Sequence, residues 1–367
     1  MILLYDPLLD MHFPDYGIQI PIRDRRSQAV LTYLQKKYPD KTTEVLNLKT
    51  AAELLEIPKN DRHIGREDLE RVHSREYVSA LFGEGLEAEL IKTYELIDER
   101  GQPRRYRPDL ASQSLTGLFS TILNQVWGTY LACRLALVQP DLCFYLGGGM
   151  HHARRDAGAG FCLVNDIVIS ARRLQAEGLV SSIWIIDLDA HKGDGTAELT
   201  SGDPSILTLS IHMASSWPLD TETLSRAVPG RAPLIPSDVE LPISKDEQGS
   251  YVEQLGTGLK KLEVLSRKRL PHLAIVVDGA DPYEKDELPS TSDLQLSLDT
   301  CVERDLLVYT FLRERHIPSA WLMAGGYGDR AWEPPASFLW ALFNGEGQAC
   351  PSVSTPTDLS IGLLKAV

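Results

Sequence analysis

Short apolar runs recur along this chain, and each is followed at once by polar or glycine-rich residues. A continuous apolar run of this length is typical of a strand buried on both faces. Segments with apolar residues at helical spacing separate the runs, and this alternation predicts a mostly parallel sheet with helices on both faces. The clearest strand candidates are residues 142–145, 183–186, 274–277 and 321–324, with a first strand within residues 1–6.

The same patterns predict helices over residues 164–176, 251–267 and 294–315. The last of these carries apolar residues at helical spacing, typical of a stripe that faces the core. The stripe consists of Leu294, Leu298, Val302, Leu306 and Tyr309. Two polar stretches, residues 98–109 and 217–238, predict long loops of the kind that form the rim of a site.

The composition agrees with one soluble α/β domain. The chain has 367 residues, of which 43% are hydrophobic and 24% charged, and no linker interrupts the series of strands. The net charge of -14 disfavours nucleic-acid binding and would attract a cationic substrate such as a basic protein tail or a polyamine.

Cysteine spacing and the start of the sequence bear on location. The five cysteines have neither metal-ligand nor disulfide spacing, so we expect reduced, mostly buried thiols. The first residues lack the basic region of a signal peptide, and no apolar run is long enough to span a bilayer. We therefore expect a cytoplasmic protein that does not bind membranes.

The chemistry is concentrated where the predicted strands end. Residues 187–196 follow one strand, and on an extended segment Asp187, Asp189 and His191 would face the same way. Two carboxylates and an imidazole that converge in a dry cleft favour a bound cation. From this segment alone, a turn rich in Asp and Gly at a helix start remains equally open.

Three further strand ends carry reactive groups. Residues 147–153 combine three glycines with two adjacent histidines, residues 278–282 supply two aspartates, and residues 325–328 place a tyrosine among glycines. Ligands in open α/β sheets bind outside the carboxyl ends of the strands, so we expect these groups to lie together. Imidazole titrates near neutrality and suits proton transfer.

Together these segments resemble the zinc-dependent histone deacetylase family, which includes bacterial acetylpolyamine amidohydrolases. The resemblance runs from about residue 72 onward and implies the arginase/deacetylase fold, with residues 1–367 forming a single catalytic domain. The matching segments are residues 72–78, 147–153, 160–162, 165–166, 187–196, 210–212, 279–281 and 325–327.

The resemblance implies a role for each site residue. Asp189, His191 and Asp281 would bind zinc or ferrous iron. His151 and His152 would form the catalytic pair, with His152 as general base and then general acid. The remaining catalytic roles would be the orientation of His151 by Asp187, the orientation of His152 by Asp194, and hydrogen-bond donation to the oxyanion by Tyr327.

Substrate and cation sites follow from the same resemblance. Phe161 would form one wall of a narrow tunnel for an acyl-lysine chain, and Trp217 is the candidate for the opposite wall, with a structural core role equally open. The implied substrate-binding residues are Gly160, Phe161, Trp217 and Gly326. A monovalent cation such as K⁺ would be bound by Asp187, Asp189, His191, Ser210 and Ile211.

Two features depart from the family pattern, and one rim residue is a candidate for a family role. Lys192 replaces a second histidine found in many relatives and should point away from the metal. Residues 12–17 do not match the usual first active-site loop. Asp109 is a candidate for the rim carboxylate that grips the substrate backbone.

The resemblance predicts an amidohydrolase that removes acetyl or other short acyl groups from acyl-lysine side chains or acylated polyamines. Two alternatives stay open. One is an arginase-like ureohydrolase with two manganese ions, because residues 189–191 and 278–282 also resemble motifs of that family. The other is a homologue that binds acylated ligands without turnover.

Overall fold

Eight parallel strands of the described residues form the central sheet of this protein. The computed structural model describes residues 1–23, 25–37, 45–139, 141–219, 234–267 and 270–345. The strands are β1 (Ile2–Leu4), β2 (Val45–Leu46), β3 (Leu142–Tyr145), β4 (Ile183–Asp187), β5 (Ile206–Met213), β6 (Val239–Ile243), β7 (Leu273–Val277) and β8 (Ser319–Leu322). Their order across the sheet is β2-β1-β3-β8-β7-β4-β5-β6.

The strand predictions are confirmed with small shifts. The apolar runs became β3, β4, β7 and β8, and the start of the sequence became β1. The predicted fourth run extends beyond its strand, because β8 ends at Leu322 and leaves Met323 and Ala324 in the segment that follows. Every pair of neighbouring strands is parallel, so all these strands end at one edge.

The helices of the described residues surround this sheet. They are α1 (Arg26–Lys37), α2 (Leu48–Leu54), α3 (Arg66–Glu70), α4 (Arg75–Leu81), α5 (Leu86–Thr93), α6 (Leu118–Val138), α7 (Asp166–Ala176), α8 (Asp194–Thr200), α9 (Tyr251–Leu265), α10 (Leu298–Glu314) and α11 (Glu333–Phe343). The three predicted helices correspond to α7, α9 and α10.

Two details of α10 differ from the prediction. The side chain of Ser297 accepts the backbone N–H of Thr300, and this N-cap begins the helix four residues after the predicted start at Leu294. The predicted stripe is confirmed in part, because Leu298, Leu306 and Tyr309 pack against the core while only partly buried, and Leu294 lies in the core before the helix begins. The buried face of α10 consists of Cys301, Arg304, Asp305, Val308, Phe311 and Leu312.

The sheet separates two hydrophobic cores. Alternate side chains of β3 show the division, since Cys143 and Tyr145 join the core beneath α6 and α7, whereas Leu142 and Phe144 join the core beneath α9, α10 and α11. Burial on both faces explains why the strands read as continuous apolar runs. The described residues thus form a single α/β domain of the predicted class.

Cysteine and membrane predictions can be followed only in part. Cys133, Cys143, Cys162 and Cys301 are buried free thiols, and Cys350 lies outside the described residues. The described chain contains no helix with the length and apolar character needed to cross a bilayer. Most of the predicted loop over 217–238 also lies outside the described residues, which resume at residue 234.

Candidate active site

The predicted site segments leave the same edge of the sheet. Strand β3 pairs with β8, β8 with β7, and β7 with β4. Four consecutive strands therefore deliver the segments that follow Tyr145, Asp187, Val277 and Leu322 to neighbouring positions. This is where an open parallel sheet places its ligands.

Asp189, His191 and Asp281 form the centre of the site. Each offers one ligand atom, these atoms lie within 4.8 Å of one another, and all three residues are buried. His191 Nδ1 lies 3.2 Å from Asp189 Oδ1 and 3.0 Å from Asp281 Oδ2. Backbone N–H groups hold both carboxylates, because Ala190 donates to Asp281 and Gly325 donates to Asp189.

This centre fits one divalent cation. Burial lowers the pKa of His191, but Asp189 and Asp281 outweigh that effect and raise it to about 10, so the site stabilises positive charge. One imidazole and two carboxylates neutralise a dication, and a three-ligand set of this kind leaves a coordination position open. Within the described residues, this is the only group of three or more candidate ligands. A Cβ on Gly325 would collide with Asp189, so the close backbone approach requires glycine.

The two adjacent histidines each contact a different aspartate. His151 Nδ1 lies 2.7 Å from Asp187 Oδ2, and His152 Nδ1 lies 2.8 Å from Asp194 Oδ1. The imidazole centroids are 3.9 Å apart. Arg154 donates from Nε and Nη2 to the other oxygen of Asp194, at 3.0 and 2.5 Å.

These partners give the two imidazoles opposite properties. Burial lowers the pKa of His151, but the carboxylates of Asp187 and Asp189 raise it to about 9. Burial and the neighbouring His151 lower the pKa of His152 to about 4, against the effect of Asp194. Burial raises the pKa of Asp194, yet His152 and Arg154 together lower it to about 2. His152 is therefore neutral near pH 7 and able to accept a proton.

A cavity of about 1170 Å³ opens onto these groups. The Trp217 ring centroid lies 4.5 Å from that of His152, so Trp217 belongs to the site and not to a core. Gly160 has a φ of +54°, and a Cβ there would strike both His152 and Trp217. The site residues that line the cavity are His152, Gly160, Phe161, His191, Trp217 and Tyr327.

Tyr327 borders the same cavity as His191. Burial and the carboxylates of Asp281 and Asp189 raise its pKa well above the usual value, so the phenol stays protonated. Its backbone N–H donates to Asp286 Oδ2 at 2.7 Å, and its carbonyl accepts from Glu287 N at 3.2 Å.

Gly326 and four of the predicted monovalent-cation residues, Asp187, Asp189, Ser210 and Ile211, do not line the cavity. The carbonyl of Gly326 accepts a hydrogen bond from Arg26 at 3.2 Å. Asp187 and Ser210 are paired across β4 and β5, and both are buried beside Ile211. Binding of a monovalent cation there stays a prediction.

The structure also places Lys192 and the candidate rim carboxylate Asp109. Lys192 is 2% exposed and points away from the metal ligands, pairing with Glu240 on β6, which also contacts His212 Nε2 at 2.8 Å. Asp109 does not line the cavity. It is exposed and pairs with Arg107 at 2.9 Å, so nothing here favours a role in gripping substrate.

Sequence reasoning missed the residues that fix the site loops through backbone atoms. Arg26 donates to the carbonyls of Met323 at 3.0 Å and Ala324 at 2.7 Å. Buried Arg304 donates to the carbonyls of Leu188 and Gly279 and binds Asp278, an acid that the sequence had suggested for the site. No local motif marks these residues, because their partners are distant main-chain atoms.

The sheet and the groups at its carboxyl edge define an α/β protein with the arginase/deacetylase fold. The chain belongs to the histone deacetylase family, because the family model for the histone deacetylase domain matches residues 20–341. This match confirms the resemblance seen in the sequence.

Three relatives illustrate the similarity. The chain is 34% identical to an uncharacterised protein of Picosynechococcus sp. over 211 residues, which are 58% of this chain and 64% of that protein. It is 30% identical to histone deacetylase 2 of Arabidopsis thaliana over 260 residues, which are 71% of this chain and 60% of that protein. It is 27% identical to acetoin utilization protein AcuC of Bacillus subtilis over 276 residues, which are 74% of this chain and 66% of that protein. The chain thus spans less than two thirds of the length of these relatives.

Proposed function

We propose that this protein is a metal-dependent deacylase, most simply a zinc deacetylase, that acts on acyl-lysine side chains or acylated polyamines. The observation that carries the proposal is the position of the Asp189–His191–Asp281 cluster, beside the His152–Asp194 pair and Tyr327 at the end of one cavity. Membership of the histone deacetylase family supports the reaction class. A cytoplasmic location remains a prediction from the sequence.

A divalent ion held by the three ligands would polarise the amide carbonyl and make a nearby water more acidic. His152 takes the water proton on Nε2, because its Nδ1–H donates to Asp194 and fixes that tautomer. The same Nε2 then gives the proton to the departing amine. Tyr327 donates its phenolic hydrogen to the oxyanion, and its raised pKa keeps that hydrogen in place.

Neither alternative has comparable support. A two-manganese site needs more ligands than the single cluster of three found among the described residues. A binding protein without turnover would lack a catalytic group, whereas both histidine–aspartate pairs and the phenol are present and buried.

Acetate release from an acetyl-lysine peptide and an acetylated polyamine tests the proposal. Tyr327→Phe should lower kcat about 100-fold with little change in KM, because the lost hydrogen bond acts mainly in the transition state. Tyr309→Phe is the matched control, since its hydroxyl contacts Asp141 at 3.3 Å outside the cavity and its loss should leave the rate unchanged. A Tyr327→Phe enzyme with the wild-type rate would contradict the mechanism.

A further inference from the structure

A short hairpin over residues 96–107, the rim hairpin, borders the active-site cavity. Its two arms meet at an isolated bridge between Ile97 and Pro103, and Arg104 N donates to Leu96 O at 2.8 Å. The second arm is fixed on its other side, because Arg105 O accepts from Gln19 N at 2.8 Å. Arg105 N also donates to Leu96 O at 3.2 Å, so the backbone of Arg105 is hydrogen-bonded both to the first arm of the hairpin and to Gln19.

The side chain of Arg105 lies at the mouth of the cavity. Its guanidinium carbon lies 5.1 Å from the centroid of the Phe161 ring, and Nη1 lies 2.5 Å from Glu95 Oε2. The Arg105 side chain remains 24% exposed. Among the described residues, no side chain pairs with its Nε or Nη2, so within that part of the chain these two donors face no acceptor.

Glu95 does not neutralise this part of the rim. The same oxygen of Glu95 also faces Arg104 Nη1 at 3.4 Å, so one carboxylate serves two guanidinium groups. The carboxylate of Asp98 binds the hairpin backbone, because its Oδ1 accepts hydrogen bonds from the N–H groups of Arg100 and Gln102. The described charged residues of the mouth are the cations Lys92, Arg100, Arg104 and Arg105 and the acids Glu95, Asp98 and Glu99.

The described mouth is therefore weakly cationic on a chain whose net charge is -14. Local charge matters more than net charge for a group that binds here, since exposed charges are screened over about 10 Å at 0.1 M salt. The expectation from net charge, attraction of a cationic substrate, does not extend to this mouth.

We propose that Arg105 is a specificity-determining residue that binds a carboxylate at the outer end of the substrate, across the methylene chain from the acylated amine. This inference rests on the proposed deacylase function. A methylene chain that runs along Phe161 would bring the outer end of the substrate to the Arg105 guanidinium, which suits planar carboxylates. The favoured substrates are acyl-lysines with a free α-carboxylate or an adjacent acidic residue, and cationic acylpolyamines are disfavoured.

Matched substrates test this assignment. We would measure kcat/KM for acetyl-lysine with a free or an amidated α-carboxyl group, for three peptides with Glu, Gln or Lys after the acetyl-lysine, and for an acetylated polyamine. In the wild type, the anionic member of each set should be preferred about fivefold over the neutral one, mostly through KM, as for one partly exposed ion pair. The two sets distinguish an α-carboxylate from a flanking acid.

Substitutions of Arg105 test whether this residue causes the preference for anionic substrates. Arg105→Met keeps an apolar stem over Phe161 and should abolish the preference, Arg105→Lys should retain part of it, and Arg105→Glu should invert it. Arg107→Met is the matched control on the same hairpin, because Arg107 pairs with exposed Asp109 and does not line the cavity. Its substrate preferences should equal those of the wild type.

The outcomes separate the two proposals. Hydrolysis of all substrates without a charge preference, or a preference that survives in Arg105→Met, would overturn the role of Arg105 and leave the deacylase function standing. No hydrolysis of any substrate by the metal-loaded wild type would overturn both.

Discussion

At the residue scale, Asp286 binds the backbone of Tyr327. Its Oδ2 accepts the Tyr327 N–H at 2.7 Å, while Oδ1 accepts from Leu288 N at 2.8 Å and Thr291 Oγ1 at 3.1 Å. Both carboxylate oxygens are thus occupied by donors. Burial and the nearby Asp281 raise the pKa of Asp286 to about 7, so these hydrogen bonds offset a real cost of burying charge.

Asp286→Asn should displace Tyr327 without removing any catalytic group. An amide presents one acceptor and one donor where the carboxylate presents two acceptors, so an N–H of the amide would face a backbone or hydroxyl donor. We expect kcat to fall about tenfold or more with a smaller change in KM, because the phenol is misplaced in the transition state. Steady-state kinetics of the Asp286→Asn enzyme measure this fall. Asp293→Asn, outside the cavity, is the control and should keep the wild-type kcat. An unchanged kcat in Asp286→Asn would refute the positioning role.

The predictability of single residues depends on the kind of partner. Asp189, His191 and Asp281 could be identified because they immediately follow strands in recognisable motifs. Asp286 and Arg26 could not, since they act on the main chain of Tyr327 and Ala324 and any sequence there offers the same N–H and carbonyl groups.

At the element scale, His73 joins the segment before α4 to the loops of the active site. Its Nδ1 lies 2.8 Å from the carbonyl of Arg154, and its Nε2 accepts the N–H of Asn165 at 3.1 Å. Asn165 in turn caps α7 by accepting from Val168 N. Only the neutral imidazole, with its hydrogen on Nδ1, satisfies both partners.

This arrangement predicts acid-sensitive stability. Burial lowers the pKa of His73 from 6.5 to about 4, so as pH falls below 6.5 the unfolded chain binds a proton that the folded chain does not. The free energy of unfolding should fall between pH 6.5 and 4, by up to about 3 kcal/mol from this residue. Urea denaturation at a series of pH values measures the slope.

His73→Gln should flatten the slope over this range, because the titrating group is gone. The same change at exposed His272 is the control and should keep the wild-type slope. An equal slope in wild type and His73→Gln would refute the assignment.

The elements themselves were largely predictable. Apolar runs identified β3, β4, β7 and β8, because a strand buried on both faces is apolar at every position and does not alternate between apolar and polar residues. The fully buried side of α10 could not be predicted, since it carries Arg304 and Asp305, charges that a hydrophobic pattern assigns to solvent. Their ion pair at 2.6 Å makes that burial possible.

At the scale of the whole molecule, the sheet order explains why distant segments share one site. Residues 151, 189, 281 and 327 come from four strand ends that are adjacent only because β8 and β7 insert between β3 and β4. The sequence predicted a common edge, but the order of strands depends on long-range pairing that no local pattern encodes.

The most direct test of the account is a titration of the metal-free protein with zinc while acetate release from an acetyl-lysine peptide is followed. The proposed site predicts that the metal-free protein is inactive. The rate of acetate release should then rise linearly with added zinc and reach a plateau at one equivalent of zinc per chain. Asp281→Asn should lose tight binding in the same titration. Activity without metal, or a plateau at two equivalents, would contradict a single-ion deacylase.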